Sequence, residues 1–360
     1  MVTEDTVRAA LAEVAYPGMS RDIVALGLVR SVTVRNDRVH VSLMLSTERE
    51  EVPELLRASI RERLSAAGAV RSEVQILAPE RTAREKDPWS TRGRLPNVGR
   101  VVAVGAGKGG VGKSTVSVNL ALALRAQGYR VGLLDADIYG PSVPVLVGLE
   151  DGASRVRMTE GKQVIPLEAM DLAVVSFGFF LGPESPAVWR GPMVGKAVKQ
   201  FSRGVLWPEL DVLVVDLPPG TGDVPLSLAQ SIVVDGAVVV TTPQRLSVLE
   251  AAKAVRMFEK LDVPVLGVVE NMSFAECSCG RRSYPFGAGG GEGLARDASI
   301  PLLGAVPFEA EAVGGGDEGR PAVSTDPGSA VAGVFGHVAD QVARRLALHR
   351  PEARGVVAVP

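Results

Sequence analysis

Aromatic side chains are scarce in this 360-residue sequence, at 4%, and so are histidine, with three, and cysteine, with two. Few aromatics leave little surface for stacking bases, and a net charge of −2 supplies no basic stripe, so nucleic acid is not an expected partner. Two cysteines make a structural disulfide a poor expectation in a cytoplasmic chain. They are Cys277 and Cys279, and a disulfide between such near neighbours would close almost no loop. Buried bystander thiols, redox groups and metal ligands are the readings left. No apolar run approaches the roughly 20 residues that cross a bilayer, so a membrane is not expected either. The opening MVTEDTVRAA carries acids where a secretion signal has a cationic and then an apolar stretch, and the expected location is the cytoplasm. What is plentiful is ordinary: 46% apolar and 22% charged residues, in a chain long enough for one large domain and a small one.

Residues 1–77 read as the small domain, with element order αββαβ. TEDTVRAALAEV puts Val7, Leu11 and Val14 on one helical face behind a Thr3 cap. SVTVRNDRVHVSLML alternates strictly, Val32 and Val34 before a turn at Asn36-Asp37, then Val39, Val41 and Leu43, which spells a hairpin. Leu55, Leu56, Ile60 and Leu64 mark a second helix, and SEVQIL a third strand. Residues 78–98 lose apolar periodicity, gather charge and proline, and read as a linker.

From 99 to 350 short apolar runs alternate with helical patterns: GRVVAVGA, RVGLLDAD, DVLVVDLP, GAVVVTTP, PVLGVVEN and LLGAVPF. Continuous apolar runs bounded by glycine and proline suit strands buried on both faces, so the expectation is an α/β fold with a mostly parallel, doubly wound sheet. A helix from about Ala330 to Leu348 should pack on it, and residues 351–360 read as a tail.

GKGGVGKST, Gly107 to Thr115, fits G-x-x-x-x-G-K-[ST] between an expected strand and the helical STVSVNLALALRAQG. Gly107, Gly109, Gly110 and Gly112 let the backbone N–H groups around Lys108 and Val111 turn onto phosphates, and the helix N-terminus adds its dipole. Lys113 would reach the β- and γ-phosphates, with the Ser114 hydroxyl on Mg2+. Asp135 and Asp137 in LLDADIYGPS, and Asp216 in LVVDLPPGTGD, stand at strand ends, where open α/β sheets bind ligands, and Asp135 and Asp216 are placed to hold Mg2+ through water. Taken singly, each aspartate could instead be a turn or helix cap, a reading that weakens once the three stand beside the loop. Gly220 and Gly222 form a switch-like stretch that could respond to the γ-phosphate. Lys108 is a second lysine where the loop needs one. It is either a solvated side chain or a cation that meets developing phosphate charge on a facing subunit, and spacing leaves both open.

With those residues in view, GKGGVGKST resembles the deviant phosphate loop of the MinD/ParA/ArsA class of P-loop ATPases. More narrowly, LLDADIYGPS, WRGPMVGKAVKQF, LVVDLPPGTGD, VVVTTPQ and VLGVVENMS in order resemble the Mrp (ApbC) family, over about Gly99 to Phe308. The N-terminal unit, with SRDIVALGLVRSVTV, resembles the MIP-type iron–sulfur assembly domain. The resemblance implies a slow, switch-like ATPase that carries iron–sulfur clusters to apo-proteins as a homodimer. It implies that Lys108 acts in trans, Asp137 positions the attacking water, Asp216 is the Walker B residue, and Asn271 and Pro307 contact adenine. ATP as the nucleotide rests on this comparison alone.

Two departures stand out. The family's ENMS motif usually leads into C-x-x-C, whereas this chain has ENMSFAECSCG, a C-x-C. A [4Fe–4S] cluster takes about four thiolates and one chain owns two, so a bridged dimer would be needed. Residues two apart on extended backbone share a face, which would let both thiols reach one partner. A bridging [4Fe–4S] cluster, a zinc or redox thiol site, and no metal all remain open for Cys277 and Cys279. Histidine ligands are not expected, because His40, His337 and His349 all lie far from them in sequence. The second departure is in the N-terminal unit, where LMLSTEREEVPELL lacks the cysteine its apparent relatives often carry. The rival readings are a metal-free nucleotide-switched adaptor and a MinD- or ParA-like positioning ATPase. For the second, a membrane-targeting C-terminal helix would be basic and amphipathic, and ADQVARRLALHR is a weak case.

Overall fold

The computed structural model describes residues 2–17, 22–35, 38–45, 52–77, 92–151, 155–180, 198, 201, 203–277 and 279–349, in two compact units, Met1–Asp87 and Pro88–Pro360. The hairpin turn at Asn36-Asp37, the residues 46–51, most of the 78–98 stretch, WRGPMVGKAVKQF apart from Val198 and Phe201, and the 351–360 tail lie outside the described residues.

In the first unit Thr3 caps α1 (Glu4–Leu11) through a reciprocal capping box with Thr6, which satisfies N–H groups the first turn would leave open. β1 (Val29–Arg35) and β2 (Arg38–Met44) pair antiparallel, and β2 pairs parallel with β3 (Arg71–Leu77) after the crossover helix α2 (Val52–Ala66). The helices bury Val7, Leu11, Val52, Leu56, Ile60 and Leu64 against Val32, Val39, Val41, Leu43 and Val74. Leu55 was expected on that apolar stripe and is 50% exposed. Residues 52, 56, 60 and 64 repeat every fourth position, which turns Leu55 about a hundred degrees off the stripe.

The second unit is built on one eight-stranded sheet. Its strands are β4 (Val98–Ala106), β5 (Val131–Asp135), β8 (Leu167–Ala169), β9 (Leu172–Ser176), β10 (Leu210–Asp216), β11 (Gly236–Thr241), β12 (Val265–Glu270) and β15 (Leu302–Ala305). Among the described residues two minor pairs accompany it: β6 (Arg157–Met158) with β7 (Val164–Ile165), and β13 (Ala275–Glu276) with β14 (Arg282–Ser283). The order is β15-β12-β11-β4-β10-β5-β9-β8, parallel throughout except for the terminal β8. Each run named from the sequence forms a strand. β8 and β9 were not foreseen, although DLAVVSF has the same apolar character as the other runs.

Burial on both faces explains those continuous apolar runs. In β10, Val212 and Val214 point into one core while Leu213 and Val215 point into the other. The first core is closed by α3 (Lys113–Ala126) and by α10 (Ala330–Arg345), which packs on α3 and on β15 as the final helix was expected to. The second is closed by α5 (Asp223–Ser231), α6 (Arg245–Lys260) and α7 (Gly290–Asp297). Among the described residues three short helices add to the first core, α4 (Val143–Leu146) through Val143, α8 (Ala310–Asp317) through Ala312 and α9 (Ala322–Thr325) through Ala322. Residues 92–97, just before β4, lie on this unit: Leu95 is buried and Gly93 bridges Ile232. Among the described residues no helix is long and apolar enough to cross a membrane. Because the strands are parallel, the segments after β4, β5, β10, β11, β12 and β15 all leave from one edge of the sheet, the edge at which open α/β sheets bind ligands.

Candidate functional site

The glycine-rich loop leaves β4 at Ala106 and enters α3 at Lys113. Its glycines have separate reasons. A Cβ on Gly107 would stand 2.0 Å from the Glu250 backbone carbon, so α6 can approach only if that position lacks a side chain. Gly110 and Gly112 adopt φ of 78° and 79°, the left-handed region open to glycine, and turn the chain inward ahead of the helix. Gly109 and Gly110 are exposed, Val111 is buried, and Thr115 lies half-buried in the first turn.

Lys113 is 7% exposed, and its ammonium lies among carboxylates. Nζ donates to Asp216 Oδ2 at 2.7 Å and to Ser114 Oγ at 3.1 Å, and stands 3.6 Å from Asp137 Oδ2. The Ser114 hydroxyl donates to Asp216 Oδ2 at 2.6 Å. Asp135 faces Asp216 in register across β5 and β10. Three carboxylates around one ammonium leave the cluster short of positive charge, a deficit that a small divalent cation can make good.

The three aspartates are held differently. Asp216 is fully buried, its Oδ1 taking a 2.6 Å hydrogen bond from Ser117, whose hydroxyl also lies 3.0 Å from the Lys113 carbonyl. Asp137 accepts from the backbone N–H groups of Tyr139 and Gly140 through Oδ1, which leaves Oδ2 toward Lys113. Asp135 gives both oxygens to its own surroundings: Asp137 N, Val143 N and the Ser176 hydroxyl. Burial, and then the Asp216 charge beside it, push Asp135 up to about 7. Asp137 is raised as well, by burial above all, with Lys113 pulling it back.

The raised carboxyl makes a prediction for the metal-free protein. The folded state holds the Asp135 proton more tightly than the unfolded chain, so this contribution is fully present below the ordinary carboxylate range. It is lost as pH climbs through about 7. Melting temperature should therefore fall between about pH 5 and about pH 8 in the wild type, and fall less in Asp135→Asn. Equal slopes in the two proteins would mean that Asp135 does not titrate there.

Lys108, at the start of the loop, is half-buried and has no hydrogen-bond or ion-pair partner among the described residues. Asn271, just past β12, turns its amide onto the loop: Nδ2 donates to Val111 O at 2.9 Å and would stand 2.1 Å from any Cβ on Gly112. Pro307 is buried in the next exit segment, held against the Asn271 turn by Val306 N–H to Glu270 O at 2.8 Å and Ser273 N–H to Val306 O at 2.9 Å. Gly220, at φ 89°, donates to the Ala106 carbonyl at 2.8 Å and so ties the segment after Asp216 to the start of the loop. A cavity of about 1520 Å³, lined by Trp207, Arg130 and Leu206 among others, lies at the opposite edge of the sheet, near the N-terminal ends of β5 and β10. None of the loop residues, the three aspartates, Asn271 or Pro307 lines it.

The cysteines stand at the tip of the β13–β14 hairpin, on the segment that continues from Asn271, and both are exposed. Two expectations change here. The pair is not a buried bystander, and the disulfide set aside for its short loop is present, joining Cys277 to Cys279 with the Cα atoms 5.3 Å apart. The backbone is a tight turn rather than extended strand. Gly280 N–H donates to Cys277 O at 2.8 Å, Gly280 takes φ 78°, and Cys277 N–H donates to Arg281 O at 3.1 Å. A three-residue hairpin loop ending in a left-handed glycine brings the first and third residues of its turn together. Among the described residues no group of three or more His, Cys, Asp or Glu side chains gathers as a metal site.

Beside Ser176, two participants were missed from the sequence, Ser117 and Glu270. Ser117 lies one helical turn beyond Lys113, and that spacing was the available signal. Glu270 closes the apolar run VLGVVE as Asp216 closes DVLVVD. It is buried, accepting from the Ser273 hydroxyl and Gly291 N–H at 2.5 Å each, and so fixes the start of the Asn271 turn to α7.

A phosphate loop, its carboxylates and a cysteine hairpin on one sheet edge make a definite combination to compare with known proteins. The model of the NUBPL iron-transfer P-loop NTPase family matches residues 97–343, and that of an iron-sulfur cluster assembly protein family matches residues 4–76. The chain belongs to the iron-transfer P-loop NTPase family. Among curated relatives, the iron-sulfur cluster carrier protein of Synechocystis is 39% identical over 355 residues, covering 97% of this chain and 99% of the relative. The protein of the same description from Escherichia coli K12 is 41% identical over 345 residues, covering 94% and 91%. A nucleotide-binding protein of Archaeoglobus fulgidus, solved in complex with ADP, matches at 41% identity with a TM-score of 0.56, covering 63% of this chain and 89% of its own. Family membership thus spans the loop, the three aspartates, the Asn271 turn and the hairpin, while the N-terminal unit matches the assembly family without a cysteine of its own.

Proposed function

We propose that this chain is a Mg·ATP-dependent carrier that holds an iron–sulfur cluster between two copies of itself and delivers it to apo-proteins. The observation that carries this reading is that Lys113 and its carboxylates leave the same sheet edge as Cys277 and Cys279, with Asn271 touching the loop six residues before the first cysteine.

The nucleotide chemistry follows from the side chains. Lys113 leaves Asp216 for the β- and γ-phosphates, and backbone N–H groups from Gly107 to Thr115, at the N-terminus of α3, take the remaining phosphate oxygens. The hydroxyl of Ser114 and the carboxylate of Asp216 are the hard oxygen donors that would hold Mg2+ directly or through water, with Asp135 behind them bracing the Asp137 turn. A bound Mg2+ there neutralises charge on the phosphates. Asp137 orients the attacking water, Lys108 meets the developing charge on the facing copy, and Asn271 with Pro307 forms the adenine end.

The cysteines take the cargo. Accepting a cluster requires the disulfide to be reduced to two thiols, consuming two electrons and two protons from a dithiol reductant. Two hairpins from two copies then supply about four thiolates, the complement of a [4Fe–4S] cluster. Iron and acid-labile sulfide after anaerobic reduction and reconstitution test this. Wild type should hold about four of each per dimer, and Cys277→Ser/Cys279→Ser close to none. Near-zero content in both would favour the second reading, a metal-free nucleotide-switched adaptor, for which the disulfide between the two cysteines speaks.

A further inference from the structure

The cysteine hairpin uses its two arginines differently. β13 and β14 pair with Ala275 opposite Ser283 and Glu276 opposite Arg282. Arg282 is engaged within the hairpin and its approach: Nε donates to Glu276 Oε2 at 2.8 Å, and the guanidinium lies 4.1 Å from the centre of the Phe274 ring. The register continues one step further, because Cys277 N–H donates to the Arg281 carbonyl at 3.1 Å. Opposed residues of an antiparallel pair place their side chains on the same face, and successive pairs alternate faces. Arg281 therefore shares the face of Cys277, and Cys279 is joined to that residue. The Arg281 side chain is exposed and has no hydrogen-bond, ion-pair or ring partner among the described residues.

An unpaired guanidinium on the sulfur face has a definite chemical use. Thiolates are anions, and the net charge around an iron–sulfur cluster is one of the levers on its potential. Arginine stays charged under all working conditions and is weakly hydrated, so it can approach such a group without losing its proton. We infer that Arg281 is the cation serving the sulfur pair, a positioning residue that draws anionic groups to the hairpin tip without ligating them. For thiolates this stands by itself; extended to a bound cluster, it rests on the carrier reading above.

The test separates the two. The protein is reduced with a dithiol reagent, desalted under anaerobic conditions, and alkylated at one fixed pH with iodoacetate, an anion, or iodoacetamide, which is neutral. The ratio of the two rate constants reports the local charge and cancels general accessibility. In Arg281→Gln the ratio should fall about three- to tenfold, as expected for one elementary charge a few ångströms away in a largely aqueous setting. Arg281→Lys should keep most of it, and molar salt should shrink the difference between wild type and Arg281→Gln. An unchanged ratio in Arg281→Gln overturns the inference, whatever the iron content of the wild type. A lowered ratio in a chain that takes up no iron upholds it and removes the carrier reading instead. If both stand, the reconstituted Arg281→Gln protein should show a more negative cluster potential than wild type, since a positive charge that favours the reduced state is gone.

Discussion

Replacing Lys113 by alanine is expected to lower ATP hydrolysis by about a hundredfold or more, as losing a preorganised charge at transferring phosphates does elsewhere. The same change acts on the empty protein. Lys113 is 7% exposed and is the ammonium among Asp137 and the fully buried Asp216. Taking it away leaves carboxylates desolvated without their counter-charge, a class of change that costs about 3–5 kcal/mol. The nucleotide-free variant should accordingly melt well below wild type. Added Mg2+ should recover more stability in the variant than in wild type, because it restores a cation the carboxylates have lost. Thermal melting with and without Mg2+, beside a steady-state phosphate-release assay, measures both effects. A variant that hydrolyses ATP at the wild-type rate would end the assignment of the loop, and one that melts like wild type would show that the carboxylates are neutralised another way.

That doubled role of Lys113 was only half legible in the sequence. The loop pattern announced phosphate binding because glycine spacing and a following helix encode it locally. The apolar runs announced a sheet covered on both faces for a similar reason: alternate residues of β10 enter two different cores, so no polar face survives to break the pattern. Strand order is not local. Asp135 and Asp216 are 81 positions apart and become neighbours only because β10 lies between β4 and β5, and from that contact comes the raised carboxyl. Ser176 binds Asp135 from β9, a strand the sequence reading passed over, so the inward commitment of both Asp135 oxygens could not be foreseen. The cysteine pair shows a different limit. C-x-C was read on extended backbone, whereas Gly280 in the left-handed region closes a tight turn and sets the sulfurs together. Gly280 was visible as a glycine; that it would end a three-residue hairpin depended on β13 and β14 pairing around it. Arg281 and Arg282 are indistinguishable in the string CGRRSY, and only register separates the one bound to Glu276 from the one without a partner among the described residues.

Lys108→Ala should give the opposite profile to Lys113→Ala. In the empty chain Lys108 is half-buried and has no partner among the described residues, so removing it takes away no buried charge pair and the melting temperature should stay close to wild type. Nucleotide affinity should also change little, because on the proposed reading the loop backbone and Lys113 make the phosphate contacts within the chain. Hydrolysis is where the loss belongs. A cation supplied across an interface to phosphoryl transfer is worth about 10³–10⁵ in rate, so the variant should bind ATP and turn over at least about a thousandfold more slowly. Mixing supplies the sharper measurement. A Lys113→Ala copy cannot use its own nucleotide site but still offers Lys108 to a partner, while a Lys108→Ala copy keeps its own site and lacks the donated lysine. Neither hydrolyses alone, yet their mixed dimer holds one complete site, so equimolar mixing should restore activity toward about a quarter of wild type if the copies associate at random, half of all dimers being mixed and each having one working site of two. No recovery on mixing, with binding lost in Lys108→Ala as fully as in Lys113→Ala, would return Lys108 to its own loop and remove the need for a facing subunit in hydrolysis.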